Sequence, residues 1–279
     1  MISTPTLPAS SPSARPVSDM LRAWRVRRRM SQLDLACEAE ISTRHLSFLE
    51  TGRSQASRDM LLRLAERLDI PLRERNALLM AGGFAPLFPE RALDDPALLA
   101  ARKAIDQILT GHEPFPALAV DRHWNLVSAN RIVPLLLTGV APMLLQAPIN
   151  VMRLTLHPQG PAPRIANFAE WRQHMLDRLR QQIALSADPV LIDLNKELLA
   201  YPAPEHDASA AEHTLSPYAA VAVPFQLQTE HGLLSFFSTT TIFGTPVDIT
   251  LSELAMECFF PADAETSAAL QRLLPEAGK

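Results

Sequence analysis

Ser31-Gln-Leu-Asp-Leu-Ala-Cys-Glu-Ala-Glu-Ile-Ser-Thr-Arg-His-Leu-Ser-Phe-Leu-Glu-Thr-Gly52 decides how this chain is read. Two short helical patterns follow each other with almost no room between them. The first carries apolar side chains at Leu33, Leu35 and Ala36, the second at Ile41, Leu46 and Leu49. Ser42 is placed to cap the second, because its hydroxyl can accept a bond from a free backbone N–H. A second helix held so tightly against the first keeps one polar face free, formed by Thr43, Arg44, His45 and Ser47. Such side chains reach base edges and phosphates in a major groove. The pattern predicts a helix-turn-helix; the competing reading is a helical bundle that never meets nucleic acid.

Around this motif the charge is uneven. The net charge of −4 divides into 14 basic and 10 acidic residues over 15–91, a balance of +4, and 12 basic and 20 acidic residues elsewhere, a balance of −8. A basic head on an acidic body suits a segment that meets phosphate. Leu21, Trp24 and Val26 mark the expected buried side of a preceding helix, and Arg27, Arg28 and Arg29 crowd its end. These arginines either touch phosphate or favour the negative end of the helix dipole. After Gly52, the polar run Arg53, Ser54, Gln55 and Ser57 suits backbone positioning. Gln32 opens the first helix of the motif, where its amide can bridge a phosphate and the second helix.

The pattern resembles the xenobiotic-response-element (Cro-like) family over residues 19–68. The matching residues are Leu21-Arg22, Arg25, Ser31-Gln32, Leu35-Ala36, Ile41-Ser42, Leu46, Leu49-Glu50, Gly52 and the helix from Ser57 to Asp69. The resemblance implies an all-α, five-helix repressor-type domain, and it implies that Arg25 and Glu50 pair inside that domain. One departure is Glu40, where the family usually has glycine because the turn residue is left-handed. A non-glycine residue there costs about 1 kcal/mol.

Length and composition bound the rest. The 279 residues allow about two domains, and 47% hydrophobic residues provide a sizeable core. No window approaches the roughly 18 apolar residues of a membrane span. Met1 to Pro16 has no secretory pattern; rich in Ser, Pro and Ala, it reads as a disordered tail. Cys37 and Cys258 are too few for a disulfide framework, which suits a reducing cytoplasm. Without Cys-x-x-Cys or paired histidines, no metal site is expected. There is no Gly-x-Ser-x-Gly elbow and no His-Glu-x-x-His. With 9 Gly against 24 Pro, glycine-rich nucleotide cradles are excluded, so the chain is not expected to be an enzyme.

Residues 17–81 are therefore expected to form the helix-turn-helix domain, ending in a helix around Leu72–Met80. Residues 82–111 read as a hinge at Gly82-Gly83 and a connecting helix begun by Asp95-Pro96. Leu98, Leu99, Ile105, Ile108 and Leu109 form that helix's apolar side, which also suits dimerisation; Gly111 reads as its C-cap.

From 112 to 279 the period changes. Ala117 to Asn130 reads as strand, tight turn at Arg122–Asn125, strand, then helix. Ala219–Gln228 and Leu233–Phe243 read as a hairpin closed at Glu230-His-Gly232, and Leu251–Phe260 as a further strand. Phe168–Leu185 and Pro189–Tyr201 read as helices. About five antiparallel strands with helices inserted give an α+β, PAS-like layout.

Pro116 to Asn130, with its apolar run, Asp121, Trp124 and Ala129-Asn130, resembles the opening of the MmyB-like ligand-binding domain. Asn150-Val-Met-Arg153, Arg164 and Trp171 fall where that family places Asn, Arg and Trp. The resemblance covers roughly residues 82–262. It implies a pocket for a small apolar molecule, with a fatty acid as the best-supported type, and no other cofactor. Such an acid needs a cation or donors at one end; the candidates are Arg153, His157, Arg164 and Asn167, beside Asn150. Wall candidates are Trp124, Met152, Phe168, Trp171, Phe225, Phe236 and Phe237, each of which also reads as plain core.

The expected protein is a cytoplasmic transcriptional regulator with a double-stranded DNA operator, an apolar small-molecule effector and no membrane partner. A single small head contacts too few base pairs, so a homodimer on a two-fold site is expected. The alternatives are a second domain that serves dimerisation or a protein partner without ligand, or a redox or haem sensor.

Overall fold

The computed structural model describes residues 15–204, 223–244, 246 and 248–273. The tail expected over 1–16 lies almost wholly outside them, as does the start of the strand expected from Ala219. The chain divides into two compact units, one ending at Pro89 and one beginning at Glu90.

The first unit has five helices: α1 (Val17–Arg27), α2 (Gln32–Glu38), α3 (Thr43–Glu50), α4 (Arg58–Arg67) and α5 (Leu72–Ala81). Serine hydroxyls start three of them: Ser31 accepts from the Asp34 N–H at 3.1 Å, Ser42 from His45 at 3.1 Å and Ser57 from Met60 at 3.2 Å. The core gathers Leu21, Trp24, Leu35, Ala36, Leu46, Leu49, Leu61, Leu64, Leu78 and Leu79. Two apolar residues assigned to that core by their spacing are on the surface instead: Leu33 is 61% exposed and Val26 59%. Each stands two positions from a buried residue, Leu35 and Trp24 respectively, and so points to the other side of its helix.

The turns explain how the helices end. Arg29, Glu40 and Asp69 all take positive φ, and the next residue returns its N–H five positions back, as in Met30 to Arg25, Ile41 to Ala36 and Ile70 to Ala65. This is the Schellman ending that glycine usually supplies. Glu40 has φ 56° and so takes the left-handed turn without glycine's freedom. Gly83, at φ 81°, ends α5 in the same way through the Phe84 N–H to Leu79 O bond.

The expected hinge at Gly82-Gly83 is instead part of the head. Buried Asn76 accepts the N–H groups of Leu87 and Phe88 at 2.9 and 3.0 Å and donates to Phe88 O at 2.6 Å. The following stretch is thereby fastened to α5.

The second unit comprises α6 (Leu99–Gly111), β1 (Ala117–Val120), β2 (Leu126–Ala129), α7 (Ile132–Leu135), α8 (Val151–Leu156), α9 (Phe168–Ser186), α10 (Pro189–Ala200), β3 (Phe225–Thr229), β4 (Gly232–Ile242), α11 (Ile249–Ser252), β5 (Ala255–Pro261) and α12 (Ala264–Leu273). The five strands form one antiparallel sheet in the order β2-β1-β5-β4-β3. Two spans differ from expectation: Ile249–Ser252, capped by Asp248, is helical, so β5 starts at Ala255; and α12 is a helix that the sequence pattern does not predict.

Alternation along the strands sorts side chains to two faces. Ala117 and Ala119 of β1, with Met256 and Cys258 of β5, pack against Ile105 and Leu109 of α6. Leu118 and Val120 face the larger core, with Trp171, Met175 and Leu179 of α9. The segment read as a connecting helix is thus a layer of the second unit: its buried stripe covers the sheet, while Leu99 and Ile108 are 51% and 37% exposed. Gly111 is its last residue and His112 its C-cap.

Candidate functional site

On the head, the exposed face of α3 begins at its own cap. Ser42, Thr43 and Arg44 are exposed, and His45 and Ser47 half-buried. The Arg44 guanidinium lies 5.3 Å from the Phe48 ring centroid, one turn further on, so its stem is laid along the helix. Arg53 and Gln55 are exposed and Ser54 half-buried in the loop after α3. Ser42, Thr43, Arg44, His45 and Ser47 thus lie at the start of α3, and Arg53, Ser54 and Gln55 in the loop that follows it.

That helix is anchored at its far end by charge. Glu50 is 4% exposed. It accepts from Arg25 Nε at 2.6 Å and Nη2 at 2.8 Å, while Arg25 Nη1 donates to Met30 O at 2.9 Å. Gln32 Nε2 donates to the same carboxylate at 2.8 Å. The amide nitrogen expected to reach a phosphate is therefore engaged inside the domain, where it ties α2 to α3. Burial alone would raise the Glu50 carboxyl; the bonds from Arg25 and Gln32 outweigh it and hold the group below the usual carboxylate value. Arg28 also works internally, donating to Leu68 O at 2.7 Å and Asp69 O at 2.6 Å. Arg27 stacks on Trp24 at 4.5 Å.

In the second unit, a cavity of about 110 Å³ lies between the sheet and α9. Trp124, Trp171, Phe225 and Phe236, all expected as wall residues, line it. Leu118, Leu126, Leu136, Val151, Leu154 and Met175 add aliphatic surface. Met152 and Phe168 are buried in the surrounding core rather than in the wall. Phe237 stacks on Phe260 at 5.3 Å, on the opposite face of β4 from Phe236.

Trp124 stands in the β1–β2 turn at φ 67°. A bulky residue there is strained, and strain of this kind concentrates at functional positions. Asp121 holds the turn by accepting the N–H groups of His123 and Asn125, each at 2.8 Å. The indole Nε1–H donates to Gln182 at 2.8 Å, which fixes the ring in the wall.

None of the cations expected at the polar end lines the cavity. Arg153 pairs with Glu197 at 2.8 Å on a half-exposed surface, where Tyr201 also donates to Glu197 at 2.6 Å. His157 packs edge-on against Tyr201 and accepts the Gln159 N–H. Arg164 donates to Leu136 O at 2.9 Å from behind the wall. Asn150 caps α8 and donates to His123 O at 2.7 Å; Asn167 joins the start of α9 to β3 through Pro224 O and the Gln226 N–H. Of the residues that resemble the family motif, Asn150, Arg153 and Arg164 are thus fasteners of the fold, while Trp171 lines the cavity.

The charged groups that do reach the cavity are Arg178 and Glu257. Arg178 Nη2 donates to Glu257 Oε1 at 2.5 Å and to Thr240 Oγ1 at 3.0 Å, and Nη1 to Glu257 Oε2 at 3.2 Å. Its guanidinium also lies 4.9 Å from the Trp124 centroid. A signal for both was present: Trp171, Met175, Arg178 and Gln182 share one face of α9, and Ala255, Glu257 and Phe259 one face of β5.

Among the described residues, no histidine or cysteine lines the cavity. Burial raises the Cys258 thiol, which leaves it a poor thiolate. Among the described residues no helix is long and apolar enough to cross a membrane, and no group of His, Cys, Asp and Glu could hold a metal ion.

The family model for the MmyB-like transcription regulator ligand binding domain matches residues 101–273, and one described as helix-turn-helix matches residues 21–75. The first spans more than half of the chain, which therefore belongs to the MmyB-like transcription regulators, with a helix-turn-helix DNA-binding head and a ligand-binding domain. No curated protein matches. One solved structure, "Structure of an RNA-binding Light-Oxygen-Voltage Receptor", is 13% identical with a TM-score of 0.23, over 92% of this chain and 62% of that one. A likeness so weak carries no argument.

Proposed function

We propose that this regulator senses an apolar small molecule bound in the cavity of its second unit, and that occupancy changes how α3 engages a DNA operator. The observation that carries the reading is the cavity itself: an apolar space of about 110 Å³, walled by five aromatic side chains, one held by a strained turn. Empty apolar cavities of comparable size take up apolar molecules. A long chain exceeds this space, so a large ligand must displace wall side chains. The protein acts as a cytoplasmic homodimer in this reading, with Arg44 reading bases and Arg53 holding phosphate.

Organic extraction of the purified full chain followed by mass spectrometry tests the cavity. The expected result is a co-purifying apolar molecule, or a melting temperature that rises when apolar compounds are added to extracted protein. Neither effect, across a panel of apolar compounds, would leave the second unit as a dimerisation or partner-binding module.

A further inference from the structure

The cavity wall carries hydrogen-bonding groups, but its ionised groups leave no spare charge. Arg178 and Glu257 are the ionisable groups in its lining, and they neutralise each other. Both guanidinium Nη atoms are engaged by the Glu257 carboxylate, and Nη2 also by Thr240. Glu257 is 4% exposed, so a ligand that displaced it would strand an anion in an apolar wall. Burial, with Arg178 nearby, pushes the His174 pKa down and disfavours its charged form. A carboxylate entering here would be buried against Glu257 with no free counter-charge.

A second observation concerns Trp171. It is 3% exposed and lines the cavity, and its buried indole Nε1–H has no hydrogen-bond partner among the described residues. A buried donor without an acceptor is rare and costly, and it marks a place where an acceptor is missing. The Ser238 hydroxyl adds a further polar group to the lining.

We infer that the cavity takes an uncharged apolar molecule carrying a hydrogen-bond acceptor, such as an alcohol, ketone or ester, and discriminates against a free carboxylate. This rests on the reading of the cavity as the effector site and names its ligand class.

The test is calorimetric titration of extracted full-length protein with chain-matched pairs, 1-octanol with octanoate and 1-decanol with decanoate, at neutral pH. The alcohol of each pair is expected to bind at least about tenfold more tightly, since burying an unpaired carboxylate is far costlier than burying a hydroxyl. Glu257→Gln, which uncovers the Arg178 charge, is expected to reverse the order. If that variant does not fold, Trp171→Phe provides the second arm: the advantage of 1-octanol over octane should shrink. Acids that bind the native protein as tightly as alcohols, or an octanol advantage unchanged in Trp171→Phe, would overturn the inference while leaving an effector cavity intact. Absence of binding by either class would remove the cavity reading itself.

Discussion

The two charged pairs of this protein, Arg25–Glu50 in the head and Arg178–Glu257 in the second unit, share a chemistry but not a role. Both are bidentate, and both have a nearly buried carboxylate. In the head the pair closes on itself with Gln32 and Met30 O, tying the last residue of α3 to α1 and α2. In the second unit the pair stands at the edge of empty apolar space, beside Trp124. A buried ion pair enclosed by protein is a fastener; the role inferred for the same pair beside a cavity is to filter what enters.

The comparison breaks first at Glu50. Glu50→Ala strands the Arg25 cation inside the head and should destabilise that unit by about 3–5 kcal/mol, read as a shift in its denaturant midpoint. The pH dependence follows from the lowered Glu50 carboxyl. Its stabilisation is complete above the ordinary carboxylate value and is lost as pH falls through the lower folded value. Urea melts at stepped acid pH should therefore show the native head weakening and the Glu50→Gln head less so.

The next effect is on DNA. Arg44→Ala should cost about 1–3 kcal/mol at selected DNA and relax base preference, whereas Arg53→Ala should weaken selected and random DNA alike. Gel-shift titrations on both DNAs distinguish the two; an Arg44 variant with unchanged affinity and preference would remove α3's first turn from the interface.

How much of each region could be read in advance follows from how far apart its partners lie. The head's motif is local: Ser42 caps three residues on, and Leu46 and Leu49 repeat with the helix. The cavity's polar end joins residues 79 positions apart, on a helix and a strand whose juxtaposition only the sheet order creates. The aromatic walls Trp124, Trp171, Phe225 and Phe236 were legible because large apolar groups have few other places to go. Arg153 and Arg164 suggest a polar end because an apolar acid needs a cation, yet Asn150 and Asn167 fasten backbone in this region and Arg153 finds Glu197 on the surface. Leu33 and Val26 show the limit of periodicity in short helices, where two residues along the chain carry a side chain from core to solvent.

Smaller effects sharpen the same contrast. Glu40→Gly should stabilise the head by about 1 kcal/mol, because the turn already has φ 56° and glycine removes the side-chain penalty there. A melting temperature that fell instead would show that Glu40 makes a compensating interaction. Arg153→Ala should cost under about 1 kcal/mol, as expected of a surface pair, and should leave the thermal shift produced by 1-octanol unchanged. Loss of that shift would return Arg153 to the ligand site.

The coupling of the two units is tested most directly by DNA affinity with the cavity filled and empty. Full-length protein freed of lipid would be titrated onto DNA it has selected from a random pool, with and without saturating 1-octanol. A regulator whose effector prefers one state should change its affinity by about 5–150-fold. Saturation of the cavity, confirmed by calorimetry, with DNA affinity unchanged would contradict the account.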